Sequence, residues 1–192
     1  MKRSTLILVL ATTLTTFTLH AQTEAEMKNW QEYMTPGEPH KMLASLDGTW
    51  EGEVSMWMAA GTAPTKSKSV TVNKMIMGGR YQQSSHTGDM MGMLFEGMST
   101  TAFDNGKKAF ISTWIDNMGT GIMMLEGKWD AASKTITLKG KSVDPTSGTG
   151  KETDVREIFR IIDANNHVME MYGQGSDGKE FKMMEIKYTR KK

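Results

Sequence analysis

The chain has 192 residues, 19 of them methionine and none cysteine, with a formal net charge of +1. A charge so near zero excludes an electrostatic case for nucleic acid or an anionic membrane surface. The lack of cysteine excludes a disulfide framework, and the length suits one domain with a core of its own.

Lys2 and Arg3 precede an apolar stretch that runs from Leu6 to Leu10 and on through Leu14, Phe17 and Leu19, and Ala21 supplies a small residue. This order of basic, apolar and small predicts a cleavable export signal over residues 1–21, cut after Ala21, and hence a periplasmic or secreted protein. Leu19 is larger than usual for its place two residues before the cut. The apolar part is too short and Thr-rich to span a bilayer, and no other stretch reaches membrane-spanning length. Removing Lys2 and Arg3 turns the charge of +1 into −1. Residues 22–47 then read as a helical segment. Met27, Trp30 and Met34 stand at helical spacing, Pro36 and Pro39 interrupt, and a short helix fits His40 to Leu46 before Asp47-Gly48 stops it.

From residue 48 to 192 the period changes to two. Trp50, Gly52, Val54, Met56 and Met58 alternate with Glu51, Glu53 and Ser55, as in a half-buried strand. Further strands are predicted over 69–77, 80–87, 93–103, 109–117, 121–129, 135–141, 155–162, 167–172 and 181–189. Turn signals such as Gly78-Gly79, Asp104-Asn105-Gly106 and Asp177-Gly178 separate them. About ten short strands at hairpin spacing imply an all-β, antiparallel barrel, since so long a meander would otherwise expose its edges. The polar stretch from Asp144 to Asp154 is expected to be a mobile loop.

Gly48-Thr49-Trp50 opens the first strand and Tyr188-Thr189-Arg190 closes the last. A Gly-x-Trp at the start and an Arg at the end resembles the calycin group, which includes lipocalins and fatty-acid-binding proteins. The resemblance implies that Gly48, Trp50 and Arg190 are structural, with the basic side chain lying over the Trp ring as a cation–π plug. The ordered segments G-T-W-E-G-E-V, M-I-M-G-G-R-Y, M-M-G-M-L-F-E-G-M, S-T-W-I-D-N-M-G-T-G and M-E-M-Y-G are similar to a bacterial family called domain of unknown function 1579. That resemblance implies a calycin-like barrel and no particular activity.

No set of residues announces chemistry. His20, His40, His86 and His167 show no metal-ligand spacing, and a haem on a late strand would have only His167. Ser84, Ser85, His86 and Asp89 are close in sequence, but strand neighbours point to opposite faces. Glu157, Glu170 and Glu185 lie on late strands and Asp116 follows Trp114, the usual expectation for a strand carboxylate being outward. Fifteen methionines fall between Met56 and Met184. Their spread favours core and pocket lining over a Cu(I) site at Met90, Met91, Met93 and Met98 or an oxidation sink.

Catalytic residues, metal ligands and a cofactor are therefore not expected, and oligomeric state leaves no signal. The first reading is an exported barrel around a small apolar or amphipathic ligand, with no membrane span and no nucleic-acid partner. Parity from Trp50 puts Val54, Met56 and Met58 inside, and parity from Arg190 adds Tyr188, Ile186 and Met184. Phe95, Trp114, Met124 and Tyr172 are further lining residues. Two other readings stay open: a small-molecule enzyme using Glu157 or Glu170, and a ligand-free barrel with a protein-binding outer face.

Overall fold

The structure, a computed structural model, describes residues 23–90, 92–145, 148, 150–175 and 177–192. The export signal predicted over residues 1–21 lies outside them. Two helices, α1 (Glu24–Met34) and α2 (Glu38–Ala44), precede ten strands in one closed, antiparallel barrel. These are β1 (Gly48–Met56), β2 (Thr65–Ile76), β3 (Tyr81–Met90), β4 (Met93–Asp104), β5 (Ala109–Asp116), β6 (Met123–Asp130), β7 (Thr135–Val143), β8 (Glu152–Asp163), β9 (Asn166–Gln174) and β10 (Glu180–Arg190). Each strand pairs with its neighbours in sequence, and β10 closes on β1 through Trp50↔Arg190, Val54↔Ile186 and Met56↔Met184. Closure leaves no edge strand, which a long meander requires. The barrel strands lie close to the ranges predicted from alternation. The main departure is the stretch from Asp144 to Asp154, where Glu152–Asp154 already belong to β8.

One end is closed by α2. The last turn of any helix leaves carbonyl groups without intrahelical partners, and here barrel side chains satisfy them. Gln82 Nε2 donates to the Leu43 carbonyl at 2.6 Å, and Trp50 Nε1 and Asn73 Nδ2 donate to that of Leu46 at 2.8 and 3.1 Å. Arg190 donates to the Ser45 and Asp47 carbonyls at 2.7 and 2.5 Å, adding a cation where the helix dipole is negative. Gly48 sits at the exit with φ +122°, and a Cβ there would lie 3.0 Å from the Arg190 guanidinium. The plug expected from the calycin resemblance is present, with the Arg190 guanidinium carbon 4.2 Å from the centre of the Trp50 ring.

Trp50 is fully buried, and His167 packs edge-on to it at 4.1 Å between ring centres. The rest of the base is apolar: Leu43, Phe110, Leu125, Ile136, Leu138 and Val155 form one cluster, and Leu46, Trp50, Val54, Ile186 and Tyr188 another. Helix α1 contributes nothing to either. None of its residues is buried, and Met27, Trp30 and Met34 remain exposed. Its N-terminus carries a Thr23–Glu26 capping box, while Asn105 Nδ2 holds its C-terminal end through the Glu32, Tyr33 and Thr35 carbonyls at 3.2, 3.0 and 2.8 Å.

Candidate functional site

Beyond the base the barrel continues as a lumen, and pair register decides which side chains enter it. Val54, Met56, Met184, Ile186 and Tyr188 point inward on the paired β1 and β10, as parity from Trp50 and Arg190 predicts. Phe95 and Trp114 are inward too, their rings stacked at 6.2 Å and 17°. Gly97 permits this, because a Cβ there would come within 2.5 Å of the Trp114 ring. Three residues expected in the lining lie elsewhere. Met58 lies past the end of β1 and is 72 % exposed, and Met124 is 64 % exposed on the outer face of β6. Tyr172 faces outward, beneath the Arg156 guanidinium at 4.0 Å. Its inward neighbours on β9 are Met169 and Met171, which pack against the core clusters.

The lumen wall has two characters. Strands β2 to β5 turn Ser69, Thr71, Ser84, Ser99, Thr101 and Ser112 inward, whereas β6 to β10 turn in mostly aliphatic, aromatic and thioether groups. A chain of polar contacts links them. Thr71 Oγ1 is 2.9 Å from His86 Nδ1, and the same hydroxyl contacts the Tyr188 phenol. The His86 ring meets Trp114 edge-on at 5.0 Å, and Trp114 Nε1 donates to Asp116 Oδ2 at 2.6 Å. His86 lies inside and hydrogen-bonded, and burial pushes its pKa down to about 4. Burial, helped by Arg190, pushes His167 down to about 3. His167 Nδ1 has no hydrogen-bond partner among the described residues.

Glu157 departs from the expectation of an outward strand carboxylate. It shares the inward parity of Val155 and Phe159 on β8, with Leu138 and Met171 as its cross-strand neighbours. Protein surrounds the side chain, which nevertheless keeps some accessible surface, so it borders internal space. Burial raises its carboxyl to about 7, and it also acts electrostatically on Tyr188, whose phenol burial pushes up. No described side chain hydrogen-bonds to it.

Asp116 also faces inward, on the parity of Trp114, whereas the remaining two carboxylates behave as expected. Glu170 and Glu185 are outside, where Lys182 Nζ bridges them at 3.0 and 2.5 Å. On β3, Ser84 and His86 point in while Ser85 and Asp89 point out, so no triad assembles. Met93 and Met98 stand on opposite faces of β4, which splits the methionine group considered for copper; Met91 lies outside the described residues. No group of three His, Asp or Glu side chains stands ready for a metal among the described residues. No described helix is long and apolar enough to cross a membrane. Among the described residues, a concavity of about 150 Å³ lies at the lumen mouth beside Met56, Ser67 and Met90, with Lys66 and Asp89 also on its wall, and one of about 550 Å³ is an outer groove between Lys139, Lys141, Asp154, Arg156 and Glu180.

The fold has a counterpart among solved structures. The crystal structure of Rv2717c from M. tuberculosis superposes with a TM-score of 0.62 at 14 % identity, covering 82 % of this chain and 100 % of that one. At that identity the likeness concerns the fold alone. A redesigned β-barrel matches with a TM-score of 0.41 at 11 % identity, covering 78 % of this chain and 95 % of the other. No curated protein matches. A family model described as "protein of unknown function (DUF1579)" matches residues 35–190, and the chain belongs to that family.

Proposed function

We propose that the protein is exported and that its barrel holds one small apolar or amphipathic molecule. One observation carries this reading: Met56, Phe95, Trp114, Met169, Met171 and Met184 point inward yet remain only half-buried, whereas Trp50, Phe110 and Leu125 below them are sealed. Inward side chains that keep accessible surface border unfilled space, and thioethers adapt their shape to what enters it. The basic, apolar and small order of residues 1–21 supports export. Native mass spectrometry of mature protein purified from its own cell envelope tests the reading. A bound mass of roughly a few hundred daltons, released on denaturation, is expected. A bare polypeptide in every preparation contradicts it.

A second reading has one observation in its favour. A carboxyl enclosed in the lumen and titrating at about 7 suits proton transfer to or from a bound molecule. If Glu157 works this way, E157Q retains the bound molecule but stops its conversion. Unchanged conversion by E157Q excludes that role.

A further inference from the structure

We propose that the lumen takes its ligand as a cation: an organic ammonium with an apolar body, its charged head on the Glu157 carboxylate. The proposal rests on the carrier reading above and names the ligand class for that same space.

The argument starts from charge inside the barrel. Glu157 points into the lumen and no described side chain hydrogen-bonds to it. Every lysine and arginine on the ten strands except Arg190 faces outward; Arg156 pairs with Glu180, for example, and Lys182 with Glu170 and Glu185. Arg190 lies at the base, its guanidinium committed to Trp50 and to the Ser45, Asp47 and Ala164 carbonyls. The other inward carboxylate, Asp116, stands nearer the mouth and accepts from Trp114 Nε1 at 2.6 Å and the Met118 N–H at 2.9 Å. Above its base, then, the inward positions of the described strands carry acids and no fixed cation; Lys66, which borders the concavity at the mouth, stands at an outward position of β2.

That arrangement discriminates between amphiphiles of one shape. A carboxylate head would meet Glu157 and Asp116 with nothing to neutralise it. An alcohol would bring no charge for the carboxylate to pair with. An ammonium alone would gain a charge-assisted bond to Glu157 in an enclosed, weakly screened space. Trp114 and Phe95 offer aromatic faces that also favour an organic cation, while the half-buried Met169 and Met171 line the path of an apolar body. The other titratable groups facing the lumen are Tyr188, His86 and His167. Burial favours the neutral form of each, so they leave the ammonium's charge to the carboxylates.

Decylamine, decanol and decanoate share one apolar body and differ in head group, so their binding to the mature protein and to E157Q by titration calorimetry isolates the charge. At pH 8 decylamine should bind at least about tenfold more tightly than decanoate, as one charge-assisted hydrogen bond implies. E157Q should erase that preference and leave decanol unchanged. In the wild type, affinity for decylamine should rise between pH 5 and pH 8 and level off as Glu157 completes its ionisation near about 7. Decanol binding without a preference for the amine, or a preference that survives in E157Q, overturns the ammonium proposal and leaves the carrier reading standing. Failure of all three to bind overturns both.

Discussion

The two halves of this barrel use the same inward alternation for different ends. At the closed end, inward residues meet other protein: Trp50 touches Arg190, His167 and the Leu46 carbonyl, and the open carbonyls of α2 all find donors. Beyond it, inward residues meet space: Trp114 and Met184 keep accessible surface and Glu157 lacks a hydrogen-bond partner among the described residues. Burial is thus set by what lies across the barrel, because strand parity is identical in both halves. The base supplies stability, and the lumen carries polar groups whose cost the base must offset.

The sharpest way to break this contrast is W50A. It removes a fully buried ring, its hydrogen bond to Leu46 and the surface on which Arg190 rests. A loss of about 4 kcal/mol is expected in denaturant unfolding, in the range of large core truncations. A loss below about 1 kcal/mol would show that the base does not hold the barrel together.

The next effect belongs to pH. Folding raises the Glu157 pKa from the ordinary 4.5 to about 7, so the folded state holds this proton more tightly. Its stabilising contribution is therefore present below about 4.5 and is lost as pH rises to 7, in total on the order of 3 kcal/mol. The histidines act in the opposite sense. His86 is depressed from 6.5 to about 4 and His167 to about 3, so their contribution is present above 6.5 and is lost as pH falls. With two groups opposing one, wild-type stability should rise to about pH 7 and level off there, where all three finish titrating. E157Q, freed of the opposing group, should gain on wild type by about 2 to 3 kcal/mol between pH 5 and pH 8. Equal stability of the two proteins at pH 5 and pH 8 would place Glu157 in water.

What the sequence made legible depended on anchors. Strand parity holds where an anchor of known direction fixes it and the strand continues: Trp50 fixes β1 as far as Met56, with Met58 past the strand's end, and Arg190 fixes the adjoining end of β10. On β9 the anchor is weaker and lies in the alternation Met169-Glu170-Met171-Tyr172. Glu170 and Tyr172 share a face, and a strand that puts the methionines inside must put Tyr172 out. The Met123-Met124 doublet offered no such clue. Glu157 and His86 were hidden for a different reason. An inward polar residue is legible only when the opposite face of its strand is clearly polar, and Arg156-Glu157-Ile158 gives contradictory signs. The bulges at Lys182/Met184 and Ile161/Asp163 also shift register beyond what alternation can follow. Residue types alone could not show that Thr71, which pairs with both Trp50 and His86, would join the two walls.

The smallest effect on stability accompanies the most direct test of the central claim, that the lumen beyond the base is unfilled. M56W and M184W each place a large ring at an inward, half-buried position on the β1–β10 pair. Each should change stability by less than about 1 kcal/mol, because the ring enters space instead of displacing packed atoms. Uptake of N-phenyl-1-naphthylamine, an uncharged apolar dye, by the mature protein is the measurement to make, read as fluorescence in wild type and both variants. The account predicts saturable uptake by wild type and its loss in both variants with the fold intact. Unchanged uptake in two well-folded variants, or its absence in wild type, would contradict it.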